Sequence, residues 1–130
     1  MNATILTHDA DTWIQVCSVE DVPVNGGVCA KIGEAQIAIF NFANRSEWYA
    51  CQNECPHRSQ MVLSRGITGS TQNEPKIACP FHKRTFSLIT GQCMNDESCE
   101  PISTYPVRIA NQQVWIGVKK NNTAMHYPFD

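Results

Sequence analysis

Two short loops carry the side chains whose types and spacing could do chemistry. The first loop contains Cys55 and His57, and the second contains Cys79 and His82. Each loop therefore offers one thiolate and one imidazole, and both groups bind transition metals. A proline follows each cysteine directly, and it fixes the backbone φ angle while removing an N–H donor. The pattern predicts two tight turns that hold a metal between them.

Two kinds of metal centre use two cysteines and two histidines. A 2Fe-2S cluster with mixed ligands takes two Cys on one iron and two His on the other, whereas a structural zinc site takes all four around one ion. Zinc ligands usually come as Cys–Cys and His–His pairs, but here Cys and His pair within each loop. The spacing favours a 2Fe-2S cluster with Cys55 and Cys79 on one iron and His57 and His82 on the other. Zinc stays open as the alternative.

The sequence segments around these ligands resemble those of a known family. They are MVLSRG at 61–66, EPKIACPFHKRTFSL at 74–88 and TGQC at 90–93. They are similar to the small subunit of assimilatory NAD(P)H-dependent nitrite reductase, in the Rieske 2Fe-2S ferredoxin-like superfamily, and the resemblance runs from about Trp13 to about Val118. It implies an all-β fold, a Rieske-like antiparallel β sandwich or barrel with an inserted cluster-binding subdomain.

The resemblance also implies a role in a larger enzyme. A large partner subunit would carry FAD, a 4Fe-4S cluster and sirohaem, take electrons from NADH or NADPH, and reduce nitrite to ammonium. This chain would bind a Rieske 2Fe-2S cluster through Cys55, His57, Cys79 and His82, for electron transfer, for stabilising the large subunit, or for both. Because protein and bridging sulfide fill every coordination position of such a cluster, no substrate site and no catalytic residue are expected on this chain.

Two other functions stay open. One is a free-standing Rieske ferredoxin that supplies electrons to an oxygenase, although such ferredoxins usually have Gly after the second His, where this chain has Lys83. The other is a zinc-bound or cluster-free interaction module. Arg58, Lys83 and Arg84 flank the ligands. They form either an ordinary solvated surface or a basic rim that attracts an acidic partner.

Composition is that of an ordinary globular protein. The chain has 130 residues, of which 42% are hydrophobic and 17% charged, and its net charge is -2. These values suit one compact domain and give no indication of nucleic-acid binding. The first residues lack the basic and apolar regions of a signal peptide, and no apolar run reaches the roughly 18 residues of a membrane helix. A cytoplasmic location without membrane contact is expected.

Seven cysteines raise the question of disulfides. The number is odd and no export signal accompanies it, so a disulfide framework is not expected. Cys17, Cys29 and Cys51 lie among apolar residues and are interpreted as small buried side chains. Cys93 and Cys99 flank an acidic loop, and the sequence assigns them no role.

Residue periodicity predicts an almost entirely β structure, since no long window shows a helical repeat. The spacer between the two loops is expected to hold one short strand and an exposed turn, as a surface insertion. Gly33 with Glu34, and residues 110–112, are expected to be hairpin turns. The predicted strands are 13–17, 28–32, 35–42, 48–52, 76–78, 85–88, 105–109 and 113–118.

The resemblance divides the single domain, 1–130, into parts. A basal β part comprises 1–51 and 87–120, the cluster-binding subdomain comprises 52–86, and a mobile tail comprises 121–130. Three tryptophans are expected in or near the core of the basal part. They are Trp13, Trp48 and Trp115.

Overall fold

Strands make up most of the described residues. The structure is a computed structural model that describes residues 12–42, 47–56, 59–81, 84–95 and 99–118, so the expected tail lies outside the described residues. Two 3₁₀ turns, Val19–Asp21 and Leu63–Arg65, are the helical segments among them. The predicted all-β class is confirmed. The strands are β1 (Thr12–Ser18), β2 (Gly27–Ile32), β3 (Ala35–Phe42), β4 (Glu47–Gln52), β5 (Glu54–Cys55), β6 (Gln60–Met61), β7 (Ile67–Thr71), β8 (Glu74–Ala78), β9 (Thr85–Ser87), β10 (Thr104–Tyr105), β11 (Val107–Ala110) and β12 (Gln113–Val118).

The described strands form four antiparallel sheets. The two larger ones have the orders β1-β12-β11 and β10-β4-β3-β2, and the two smaller ones are β5-β6 and β7-β8-β9. The smaller sheets carry the two predicted ligand loops, because β5 ends at Cys55 and β8 leads directly into Cys79. No described helix has the length and apolar character needed to cross a membrane.

Strand β3 separates two hydrophobic cores. Ile37 and Ile39 belong to the core shared with β12, whereas Ala38 and Phe40 belong to a second core that contains Cys55 and residues of the small sheets. Since side chains alternate between faces along a strand, β3 is buried on both faces. This explains the almost continuous apolar run from which its bounds could be predicted.

The spacer between the loops is more regular than the sequence indicated. Instead of one short strand it contains β6, a 3₁₀ turn and the hairpin of β7 and β8, which pair from Ile67 with Ala78 to Thr71 with Glu74. The hairpin turns at Gln72 and Asn73, whose φ angles are 52° and 71°, as a two-residue turn of the primed type requires. Strand β7 is largely exposed, so it lacks the apolar alternation that marks a strand in sequence.

The prediction that Cys17, Cys29 and Cys51 are buried is correct only in part. Cys51 is buried and Cys17 half-buried, but Cys29 is exposed. Cys29 lies on β2, where it shares the outward face with Lys31, so strand alternation places it in solvent. Burial raises the pKa of the Cys51 thiol, as expected for a group whose charged form has lost its hydration.

The three tryptophans are all half-buried. Trp48 packs against the core that β3 shares with β12. The Arg108 guanidinium lies 5.6 Å from the centroid of the Trp13 ring, a distance at which a cation is attracted to the ring face. These positions agree with the predicted near-core placement.

Candidate metal centre

The first ligand loop begins in a two-stranded hairpin. Strand β5 pairs with β6, with Glu54 opposite Met61 and Cys55 opposite Gln60. Cys55 is fully buried, and Ser59, in the turn, has a φ angle of 55°. The chain therefore leaves β5 at Cys55 and is paired with it again at Gln60.

A buried asparagine anchors this hairpin to the basal sheet. The backbone N–H of Asn53 donates to the carbonyl of Gln36 at 3.0 Å, and its own carbonyl accepts from the N–H of Leu63 at 3.0 Å. The side-chain Nδ2 donates to Gln36 Oε1 at 3.1 Å, while Oδ1 accepts from the N–H of Ser64 at 2.7 Å. Asn53 thus connects the chain leading into Cys55 with β3 and with the 3₁₀ turn that follows the loop.

The second ligand loop is closed by a backbone hydrogen bond at its base. The N–H of Cys79 donates to the carbonyl of Arg84 at 2.7 Å, just beyond the last paired residues, Ala78 and Thr85. Cys79 is 1% exposed. Cys79 and Arg84, the described residues at the two ends of this loop, are therefore joined directly.

A further segment extends this sheet beyond β9. Cys93 forms an antiparallel bridge with Phe86, the Met94 N–H donates to the Thr85 carbonyl at 2.7 Å, and the Thr85 N–H donates to Asn95 Oδ1 at 2.6 Å. Cys93 is joined to Cys99 by a disulfide across six sequence positions. This bond was not expected from the sequence, in which neither cysteine had an assigned role and no disulfide framework was predicted.

The two loops meet through closely packed backbone. A Cβ atom built on Gly66, which follows the 3₁₀ turn of the first loop, would lie 2.3 Å from the carbonyl oxygen of Ala78. Cys55, Cys79 and Leu63 belong to one buried cluster. The structure therefore brings the two predicted cysteine ligands into the same apolar core.

Of the remaining predicted site residues, the structure describes only Arg84. His57, Arg58, His82 and Lys83 lie outside the described residues, and Arg84 is half-buried. Neither Cys55 nor Cys79 takes part in a disulfide. Two buried thiols on adjoining hairpins suit the cysteine half of a 2Fe-2S site, because thiolates are its usual ligands and an apolar surrounding limits solvent access.

Sequence reasoning missed three features of this region. It did not single out Asn53, it left Cys93 and Cys99 unpaired, and it described the rim only as basic. The structure shows that Phe81 and Met61, one in each loop region, are 61% and 47% exposed. Large apolar side chains in solvent next to a site often mark a contact surface, and their position beside the ligands was the one signal available in the sequence.

Residues 12–117 match the model of the Rieske-like [2Fe-2S] domain. The chain belongs to this family. This Rieske-like chain is 35% identical over 97 residues to the nitrite reductase (NADH) small subunit of Escherichia coli K12, a match that covers 75% of this chain and 89% of that subunit. It also resembles the crystal structure of a protein described as a nitrite reductase NADPH small subunit, with a TM-score of 0.75, 32% identity, and coverage of 82% of this chain and 99% of that one.

A third relative is much longer than this Rieske-like chain. Over 106 residues the chain is 35% identical to the nitrite reductase [NAD(P)H] large subunit of Klebsiella oxytoca. That match covers 81% of this chain but only 11% of the large subunit. A segment similar to this chain therefore occurs within a much larger polypeptide.

Proposed function

We propose that this chain is the small subunit of a cytoplasmic NAD(P)H-dependent nitrite reductase, in which it carries single electrons. The observation that carries the proposal is the match to the Escherichia coli small subunit over 89% of that subunit's length. Its support in the structure is the pair of buried thiols, Cys55 and Cys79, which share one core. Electron transfer is the activity that a Rieske-like domain without an open coordination position can supply.

The proposed ligands are Cys55 and Cys79 for one iron and His57 and His82 for the other. Two neutral imidazoles in place of two thiolates make such a cluster easier to reduce than an all-cysteine one, and it carries one electron. This chain's own contribution is to hold the cysteines. The Cys79 N–H donates to Arg84 at the base of the second loop, and Asn53 ties the first loop to β3.

The proposed partner is a large subunit that holds the substrate site. The similarity to a segment within the Klebsiella large subunit supports this, since 106 matching residues lie within a chain roughly nine times as long. FAD, 4Fe-4S and sirohaem would belong to that partner. This chain would then be a subunit of an oxidoreductase with no nitrite site of its own.

The proposed docking surface is the rim around the two loops. Phe81 and Met61 supply exposed apolar area, and the basic side chains Arg58, Lys83 and Arg84 supply positive charge. An apolar centre with a charged edge is the usual composition of a protein interface, and basic residues would speed association with an acidic partner surface.

The sheet organisation supports a separate cluster-binding part, whose strand pairing runs past residue 86 to Ser87 and Cys93. We propose 52–86 as the cluster-binding subdomain, because β5 to β9 pair among themselves and not with the strands of the larger sheets. The basal part would then be 1–51 and 87–120. The described links between the parts include the second core, the hydrogen bonds of Asn53, and a hydrogen bond from Thr68 Oγ1 to the Asn25 carbonyl.

Assembly with the large subunit tests this proposal. The chain is co-expressed with a tagged large nitrite reductase subunit, and the purified material is assayed for oxidation of NADH and of NADPH that depends on nitrite. We expect the two chains to co-elute and the complex to be more active than the large subunit alone. Phe81→Asp should weaken co-elution, because it puts a charge at the apolar centre of the surface.

The matched control is Ile109→Asp, which changes another exposed apolar residue on the basal strand β11. It should leave co-elution unchanged. The proposal is wrong if the chain does not bind the large subunit and instead, once reduced, passes electrons to an oxygenase. That result would identify a free-standing Rieske ferredoxin.

A further inference from the structure

The disulfide between Cys93 and Cys99 has no part in the function proposed above. All seven cysteines are described, and the other five are not in disulfides. In the cytoplasm, which the proposed function implies, thiols are kept reduced. A disulfide in such a protein is usually transient, catalytic or redox-sensing. A stable structural role for the Cys93–Cys99 disulfide is therefore not what a cytoplasmic location favours.

The disulfide adds little to the overall stability of the fold. It spans only six sequence positions, and the stabilisation from a disulfide grows with the length of the loop that it closes. A short loop gains the least. Its role is more naturally local, on the segments to which its two cysteines are attached.

One of those segments holds the exit of the second ligand loop. Cys93 bridges Phe86, and its neighbour Met94 bonds the Thr85 carbonyl. Thr85 directly follows Arg84, which accepts the hydrogen bond from the N–H of Cys79. Two neighbouring backbone contacts therefore connect the disulfide to the ligand cysteine: segment 93–94 pairs with 85–86, and Arg84 bonds Cys79.

The other end of the bond lies against the same core. Cys93 and Cys99 are both half-buried and pack against the buried cluster that contains Cys55 and Cys79. Met94 and Glu100, next to them in sequence, are exposed. The disulfide is thus near enough to the surface for thiol exchange and near enough to the core to affect the cluster-binding loops.

We propose that Cys93 and Cys99 form a reversible thiol–disulfide site whose oxidation state controls how firmly the second ligand loop is held. In the disulfide form, segment 93–95 is tied against β9. In the dithiol form it separates from Thr85 more often, and the hydrogen bond between Cys79 and Arg84 breaks more often with it.

The exchange partner is a dithiol reductant of the thioredoxin class. Its thiolate attacks one sulfur of the Cys93–Cys99 bond and releases the other as a thiolate, which takes up a proton. The second thiol of the reductant then resolves the mixed disulfide. Two electrons and two protons pass to the protein, and the reductant leaves as a disulfide. A disulfide oxidant reverses the reaction.

Counting thiols tests the site itself. Folded protein, purified in air, is incubated with or without reduced thioredoxin, quenched in acid, freed of iron, alkylated under denaturing conditions and weighed by mass spectrometry. Because five cysteines are outside the disulfide, we expect five labels without thioredoxin and seven with it. Five labels in both samples, or seven in both, would overturn the proposal.

Iron release tests the effect on the loop. The oxidised and dithiol forms of the holoprotein are mixed with an iron chelator, and the rate of iron loss is followed by absorption. We expect the dithiol form to lose iron roughly twofold faster or more, since local opening exposes the ligands. The double variant Cys93→Ser, Cys99→Ser should show the fast rate under both conditions. Equal rates for the two wild-type forms would contradict the control of the loop.

Cys17→Ser is the matched control, because Cys17 lies on β1 and packs against the other core. It should keep the difference between the two forms. The thiol count requires neither nitrite nor a large subunit, so it can succeed where the proposed function fails. Conversely, a chain that supports nitrite reduction but shows no thiol exchange would refute this inference alone.

Discussion

Asn53 and Ser64 are joined by a hydrogen bond of 2.7 Å, from the backbone N–H of Ser64 to the side-chain oxygen of Asn53. Asn53 is 2% exposed, and its Nδ2 donates to Gln36 Oε1 and to the Cys29 sulfur, at 3.1 Å and 3.5 Å. Ser64 lies in the turn behind the first ligand loop, whereas Gln36 lies on β3. One buried amide therefore links the loop that contains Cys55 to the basal sheet.

Removing this amide should destabilise the protein and loosen the first loop. Asn53→Ala removes the partner of the half-buried Ser64 N–H and leaves Gln36 Oε1 with the Cys29 thiol, and a polar group left unsatisfied away from water costs about 1–3 kcal/mol. We expect the free energy of unfolding, measured by urea denaturation, to fall by about 2–4 kcal/mol. The iron content of the purified variant should fall with it.

Gln15→Ala is the control for that experiment. Gln15 is an exposed amide on β1 that bonds the side chain of Gln113, and surface truncations usually change stability by less than about 0.5 kcal/mol. Similar losses in the two variants would show that Asn53 has no special anchoring role.

Two glycines of the cluster-binding region should respond differently to a methyl group. At Gly66 a Cβ would lie 2.3 Å from the Ala78 carbonyl oxygen and 3.1 Å from that of Leu63, so the backbones of the two loops must separate. At Gly69 the nearest atom among the described residues belongs to the flexible Lys76 side chain, at 3.5 Å. We expect Gly66→Ala to cost about 1–3 kcal/mol of unfolding free energy and to lower iron content.

Gly69→Ala should change neither the unfolding free energy nor the iron content appreciably. The comparison uses thermal or urea unfolding together with iron analysis of each purified variant. If Gly66→Ala is as stable and as iron-rich as Gly69→Ala, the close contact between the loops does not matter for the site.

Alkaline pH should weaken the fold partly through Tyr105. Burial, and then the neighbouring Cys51, raise the pKa of its phenol above the ordinary value of 10.0. Because the folded pKa lies above the unfolded one, this stabilisation is complete below about pH 10 and is lost as pH rises through the folded pKa. Unfolding free energy should therefore decrease above about pH 10.

Tyr105→Phe removes this titration while keeping the ring. Its unfolding free energy should decrease less than that of the wild type between about pH 9 and pH 11. The raised pKa of the Cys51 thiol adds an alkaline loss to both proteins, so the difference between them reports the phenol together with its interaction with Cys51. Parallel curves would mean that Tyr105 ionises equally easily in the folded and unfolded states.

The fold could be predicted where burial leaves a pattern in the residues. Strand β3 was predicted with its observed bounds, because a strand buried on both faces is continuously apolar. Strand β7 was missed, because it is polar and exposed and pairs through its backbone. Cys29 was misplaced for a related reason. Apolar neighbours in sequence do not reveal which face of an edge strand lies in solvent.

The site could be predicted only where its residues are close in sequence. The two Cys-Pro loops can be recognised from the spacing of Cys and His within each loop. The structure brings Cys55 and Cys79 into one core. Asn53 could not be found in this way, since its partners Ser64 and Gln36 lie 11 and 17 positions away. The bond between Cys93 and Cys99 was overlooked because an odd number of cysteines without an export signal argues against disulfides.

The metal content and spectrum of the chain itself test the proposed 2Fe-2S site most directly. Protein purified without oxygen is analysed for iron and zinc by mass spectrometry, reduced by one electron and examined by EPR. We expect about two iron atoms per chain and a Rieske-type signal, which Cys79→Ser abolishes and Cys17→Ser retains. A colourless protein with one zinc per chain, or iron-loaded protein that gives no signal on reduction, would contradict the account.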